Sequence, residues 1–140
     1  MITKEGAKGI LRCIFLKTIT SAKIRLCKNN PAPADVDLLI GDLTEADFDG
    51  YAQVDIATPV WPTPTTNSSS EAESDGPEII WTAGAAIAAA QTCYGVYVAL
   101  NHGAGEFLFA FGRFSPGKTV TSVGDEIKVK LNWYAWNGTP

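Results

Sequence analysis

The sequence predicts a mainly β protein: an antiparallel β-sandwich, jelly-roll-like, with a short amino-terminal helix or arm. Three observations predict it. Several segments alternate polar and apolar residues with period two, as half-buried strands do. Gly, Pro, Asn and Asp punctuate the chain at short intervals. Tyrosines, phenylalanines and β-branched residues concentrate between those punctuation points, where they fill an inter-sheet core. A chain of 140 residues is one domain's worth. It divides into a basic arm or helix at 1–21 and a single sandwich domain at 22–140, with an exposed loop at 57–78.

Taken in order, Ile10, Leu11, Ile14 and Phe15 share one helical face with Arg12 and Lys17 off it, whereas Thr18-Ile19-Thr20 leans extended. Ala22 to Lys28 alternates like a strand with one wet face. Asn29-Asn30-Pro31 ends it, since asparagine tolerates turn geometry and proline cannot donate to a ladder. Pro31 to Ile40 reads as loop. Thr44-Glu45-Ala46-Asp47 has the Ser/Thr-x-x-acid form of a helix start, which predicts one short helical turn before Gly50. Tyr51 to Ile56 is a strand with Tyr51, Gln53 and Asp55 on one face and Ala52, Val54 and Ile56 on the other.

Pro59, Pro62, Pro64 and Pro77 bracket the polar run from Thr65 to Glu71, which gives the exposed loop. Trp61 within it serves either as a contact residue or as a lid over the sheet edge. Glu78 to Thr82 is a strand. Ala85 to Ala90 has helical propensity, set against Gly84 before it and a β-rich stretch after it. Cys93–Leu100 and Glu106–Phe111 are strands joined by the glycine-bearing connector Asn101 to Gly105, and Phe107, Phe109 and Phe111 share a face. Ser115-Pro116-Gly117 turns the chain. The last strands are Thr119–Val123 and Ile127–Tyr134, with Gly124-Asp125 between them.

Charge is segregated along the chain. Residues 1–30 carry a balance of +6, residues 31–112 hold twelve Asp/Glu and no Lys or Arg, and the whole sums to −4. The acidic stretch is therefore solvated, or faces the basic ends of its own or a neighbouring chain. The seven bases of the amino-terminal part are spread too thinly for a nucleic-acid patch, and no reading motif accompanies them, so no nucleic-acid partner is expected. From Ile79 to Gly105 there are 27 residues without charge. Their Ala and Gly content lacks the Leu/Ile/Phe density of a membrane span, and no membrane partner is expected.

The catalytic inventory is sparse. Cys13, Cys27 and Cys93 are odd in number with no CxxC spacing, which predicts reduced thiols and no zinc. The apolar run Cys13–Leu16 is too short for a secretory leader. His102 is the single histidine, on a hairpin tip that suits no catalytic device. Glu45, Asp47 and Asp49 before Gly50 mimic a calcium loop, but Ile56 stands where the bidentate Glu belongs. No cofactor is expected. The aromatic carboxyl end, with Trp133, Tyr134 and Trp136, places aromatics on both faces of a strand and favours a partner surface or a sugar platform.

These residues resemble a group of small β-rich structural proteins of tailed bacteriophage virions. The likeness runs through Ile24-Arg25-Leu26-Cys27-Lys28-Asn29-Asn30 and Leu43-Thr44-Glu45-Ala46-Asp47-Phe48-Asp49-Gly50-Tyr51-Ala52. It continues at Tyr94-Gly95-Val96-Tyr97-Val98, Gly105-Glu106-Phe107-Leu108-Phe109, Lys118-Thr119-Val120 and Gly124-Asp125, covering Ala22 to Leu131. The basic amino terminus and the Ala-rich stretch depart from that group. The resemblance implies a non-enzymatic virion protein assembled in the host cytoplasm, either a capsid decoration or cement protein or a tail component. Its expected partners are the major capsid or tail protein and further copies of itself. The interface it implies comprises Lys4, Lys8, Arg12 and Lys17 on the arm and Trp61, Trp133 and Trp136 as apolar anchors. The alternatives from other classes are a small carbohydrate-binding module and a hydrolase with a hidden acid pair.

Overall fold

The computed structural model describes residues 20–32, 37–57, 65–66, 72–101, 103 and 105–135, with backbone alone at 65–66, 72–75 and 133–135. Seven strands are described: β1 (Ser21–Cys27), β2 (Val54–Asp55), β3 (Thr65–Thr66), β4 (Ala72–Thr82), β5 (Gln91–Asn101), β6 (Glu106–Val120) and β7 (Glu126–Ala135). They form a four-stranded sheet in the order β2-β1-β5-β6 and a three-stranded sheet in the order β3-β4-β7. Every named pairing is antiparallel. The mainly β, antiparallel fold that the alternation predicts is what the chain adopts.

One core joins the two sheets. Ile24 and Leu26 from β1, Val96, Val98 and Leu100 from β5 and Phe107 from β6 meet Ile79 and Trp81 from β4 and Ile127 and Val129 from β7. Alternation explains the assignment, since each strand offers every second residue to the partner sheet. A second cluster lies on the other face of the four-stranded sheet. There Cys27, Tyr97, Ala99, Leu108 and Phe111 are covered by Leu38, with Ile40 and Leu43 packed alongside. The inner face of the four-stranded sheet is thus buried, and part of its outer face is covered by the segment around a 3-10 turn at Ile40–Asp42.

The structure corrects the sequence reading at several points. The turn expected at Ser115-Pro116-Gly117 lies inside β6, which runs unbroken from Glu106 to Val120. The register with β5 jumps from Gly95↔Arg113 to Cys93↔Lys118, so a bulge absorbs Pro116. β4 likewise starts at Ala72 and passes through Pro77, at a register shift between Asp75 and Glu78. β3 and the first part of β4 therefore occupy much of the 57–78 loop.

The three phenylalanines do not share a face. A shift between Val98 and Ala99 leaves Phe109 as the extra residue, which sends Phe107 to the inter-sheet core and Phe111 to the outer cluster. No helix forms at Thr44–Asp47. Instead Lys28 N donates to Thr44 O at 2.8 Å, Ala46 N donates to Leu26 O at 2.9 Å, and Glu45 bridges to Cys27 in antiparallel fashion. Ala85 to Ala90 is non-helical too. Of the Tyr51–Ile56 strand only Val54–Asp55 pairs. The helix or arm expected at 1–21 lies outside the described residues as far as residue 19, and Ser21 already belongs to β1.

Candidate interface and the charged seam on the four-stranded sheet

The interface residues expected from the sequence lie almost wholly outside the described residues. Lys4, Lys8, Arg12, Lys17, Trp61 and Trp136 all do. Trp133 is placed by its backbone alone, opposite Ser74 in the β4–β7 ladder. His102 and Cys13 also fall outside.

What the structure does bring together is the basic strand β1 and the acidic middle of the chain. Ile24 and Leu26 point inward, so Lys23 and Arg25 stand on the outer face by strand alternation. Lys23 Nζ reaches Asp55 Oδ2 at 2.9 Å, joining β1 to β2. Arg25 donates through both terminal nitrogens to Glu106, at 2.8 and 2.6 Å, and through Nε to Gln53 Oε1 at 2.8 Å. Glu45 Oε2 lies 3.6 Å from Arg25 Nε. Beyond the strand, Lys28 pairs with Asp47, which also accepts a hydrogen bond from Gln91. All these acids come from residues 45–106, inside the stretch that holds no base of its own. For the described residues, the acidic stretch meets the basic end of its own chain.

Arg25 is the centre of this seam, with a side chain only 12% exposed. Burial pulls its guanidinium down, but the hydrogen bonds to Glu106 and the charge of Glu45 outweigh that and hold it above its ordinary value. Tyr97, its cross-strand neighbour, is pushed up to about 12, first by burial and then by the Glu45 carboxylate. The Tyr51 hydroxyl donates to Glu45 Oε1 at 2.8 Å and accepts from Leu26 N at 3.3 Å. Burial and Glu45 together raise its pKa. The arrangement holds the Arg25 guanidinium charged and keeps the Tyr51 and Tyr97 hydroxyls protonated.

The calcium-like run is taken apart by the same contacts. Glu45 serves Arg25 and Tyr51, Asp47 serves Lys28 and Gln91, and Asp49 Oδ2 accepts from Ala86 N at 2.9 Å. Among the described residues, no three His, Cys, Asp or Glu side chains are grouped to hold a metal ion. Cys27 and Cys93 are free, buried thiols. Cys27 donates to Asn29 Oδ1 at 2.9 Å, while burial lifts Cys93 to about 11. Asn29 also accepts from Thr44 N at 2.7 Å and donates to Asp42 O at 2.8 Å, which ties the covering segment to the end of β1.

A pH dependence follows from the seam. Lys28 and then Gln91 hold Asp47 below the ordinary aspartate range, and Lys23 and then the Ala57 amide do the same for Asp55. A depressed folded-state pKa contributes stability above the unfolded value, about 3.9 for aspartate, and loses it as pH falls through the lower folded value. The urea midpoint is therefore expected to change little through these groups above about pH 5 and to fall below about pH 4. Asp55→Asn should flatten part of that fall. An unchanged acid limb in that variant would show that Asp55 does not contribute.

Sequence reasoning missed the acceptors Gln53, Glu45 and Glu106, and also Trp81, whose indole Nε1 donates to Ala52 O at 2.8 Å while its ring stacks on Tyr51. The available signal was the outward phase of Lys23 and Arg25 beside a long stretch containing only acids. No family model, curated protein or solved structure matches the chain.

Proposed function

We propose that the chain is a non-enzymatic structural protein of a virion, a capsid decoration or cement protein that bridges and stabilises major capsid subunits as a homo-oligomer. The observation that supports this reading is the use made of its charged and polar side chains. In the seam they join one element of the fold to another, β1 to β2, β1 to the head of β6, and Lys28 to the 44–50 segment. Together with the core on one face of the four-stranded sheet and the covered cluster on the other, this makes a stiff module suited to adhesion. A protein that binds the assembled shell better than its free subunits stabilises the shell by mass action. In this reading Lys4, Lys8, Arg12 and Lys17 form an arm against acidic surface, and Trp61, Trp133 and Trp136 are the apolar anchors.

Quantitative peptide mass spectrometry of purified particles tests the reading directly. A copy number close to that of the major shell protein is the expected result. A few copies per particle would move the chain to the tail, and absence from particles would overturn the virion reading. The arm has its own test. Removing residues 1–19 stops short of Thr20, whose amide and hydroxyl both donate to Asn101 O. The truncated protein is expected to lose shell binding while keeping its far-ultraviolet β signal. Undiminished binding would remove the arm from the mechanism.

A further inference from the structure

We propose that residues 10–19 dock on their own domain, along the side of the sandwich between β6 and β7, against Phe114 and Leu131. The topology sets this side apart. β6 ends one sheet and β7 ends the other, in the orders β2-β1-β5-β6 and β3-β4-β7. The two strands meet where Lys118 Nζ donates to Lys128 O at 2.9 Å. The same ammonium lies 5.1 Å from the centre of the Phe114 ring. The turn at 121–125 reverses the chain between the strands, so Leu131, past Lys128 on β7, comes back to the level of Phe114 on β6. Both side chains pack on the inter-sheet core, and both are only half-buried. Covering them removes apolar surface from water.

Connectivity selects the occupant from the parts of the chain outside the described residues. Residues 58–64 and 67–71 join β2, β3 and β4, which lie toward the opposite side of the two sheets. Residues 33–36 lead into the segment that covers the outer cluster. Residues 136–140 offer one large apolar side chain, Trp136. Residues 10–19 offer Ile10, Leu11, Ile14, Phe15, Leu16 and Ile19. They also end in the right place, because Thr20 donates through its amide and its hydroxyl to Asn101 O, at the turn into β6. From there Phe114 lies about 27 Å along β6 and about 10 Å across the sheet. Ten extended residues reach about 33 Å, which is enough. Ile10, Leu11, Ile14 and Phe15 share a face that leaves out Arg12 and Lys17, so docking by that face keeps the two bases in water. The placement concerns the chain's own fold and does not rest on the virion reading.

The test uses the full chain. Hydroxyl-radical footprinting read by mass spectrometry reports the exposure of Phe114 and Leu131, with and without Ile14→Asp and Phe15→Asp made together. Both changes lie in the docking segment and leave the sandwich itself intact. Oxidation at 114 and 131 is expected to rise several-fold, while Leu108 and Phe111 of the outer cluster stay as they were. No rise at 114 or 131 would overturn the proposal. A second measurement leaves the segment unaltered. A benzoylphenylalanine photoprobe is placed at position 114, and separately at 131, in an equal mixture of isotopically heavy and light chains. The expected photoproduct joins the probe to residues 10–19 of the same copy. Links to residues 58–64 or 136–140, links between heavy and light chains, or no link from either position would each overturn the placement.

Discussion

Arg25→Ala is expected to destabilise the domain by roughly 2–3 kcal/mol and to lower its melting temperature by roughly 6–12 °C. The estimate rests on where the three charges lie. The Arg25 side chain is 12% exposed, while those of Glu45 and Glu106 are 36% and 34% exposed. A fully buried pair broken on one side costs about 3–5 kcal/mol, an exposed one about 0–1 kcal/mol, and this site falls between them. Alanine would leave two carboxylates facing each other near Tyr97 with the guanidinium gone, and would strand the Gln53 acceptor. Arg25→Lys keeps the charge but loses the two-pronged bond to Glu106, so about 1 kcal/mol is expected there. Adding Glu106→Gln to Arg25→Ala should recover part of the loss, giving a coupling of about 1–2 kcal/mol in a double-mutant cycle. Thermal and urea unfolding of the four proteins would decide it. A loss under about 0.5 kcal/mol for Arg25→Ala, the range of ordinary surface changes, would mean that solvent rather than the seam carries the guanidinium.

The strands were legible because period-two alternation is a local signal, and it places β1, β5, β7 and the first half of β6 within a residue or two of their observed limits. Legibility ended where a local signal competed with tertiary pairing. Pro77 and Pro116 are correct as ladder breakers, yet each removes only one rung when a bulge takes it up, so β4 and β6 continue past them. Thr44 to Asp47 carries the letters of a helix start, but the backbone there is claimed by the end of β1, whose exposed groups at Leu26 and Lys28 would otherwise lack partners. Phe111 could not be assigned a face from spacing, because one extra residue at Phe109 inverts every later position.

The same divide holds for the site. That the acidic stretch needed bases was readable from the charge balance, as was the outward phase of Lys23 and Arg25. Which acids would answer was not, since Glu45 and Glu106 lie 61 positions apart and are brought to one guanidinium only by the bridge of Glu45 to Cys27 at the end of β1 and by the placing of β6, which Glu106 begins, in the same sheet. The seven residues expected at a partner surface rested on exposure arguments about aromatics and bases, and alternation says nothing about what covers a chain end.

Gly95→Ala is expected to cost about 2–3 kcal/mol, a large price for one methyl group, because the outer cluster is built on the absence of a side chain there. A Cβ at Gly95 would stand 2.6 and 2.7 Å from two ring atoms of Phe111 and 2.8 Å from Gly112 O. Phe111 is 2% exposed and packs with Tyr97, Leu108 and Leu38, so the ring has no open space to retreat into. The carbonyl is less able to move, since Gly112 pairs with Val96 at the next rung. Two parts of the penalty can then be separated. Phe111→Leu alone should cost about 1–2 kcal/mol by shrinking the buried ring. Combined with Gly95→Ala it should be less harmful than the sum, because the shorter side chain vacates the space the new methyl needs, and the residue of the penalty is the contact with Gly112 O. Strict additivity of the two changes would place the strain in the backbone of the β5–β6 ladder. A neutral Gly95→Ala would mean that the covering segment 37–43 lifts to admit it, and faster amide exchange at Leu38 and Ile40 in that variant would then be required.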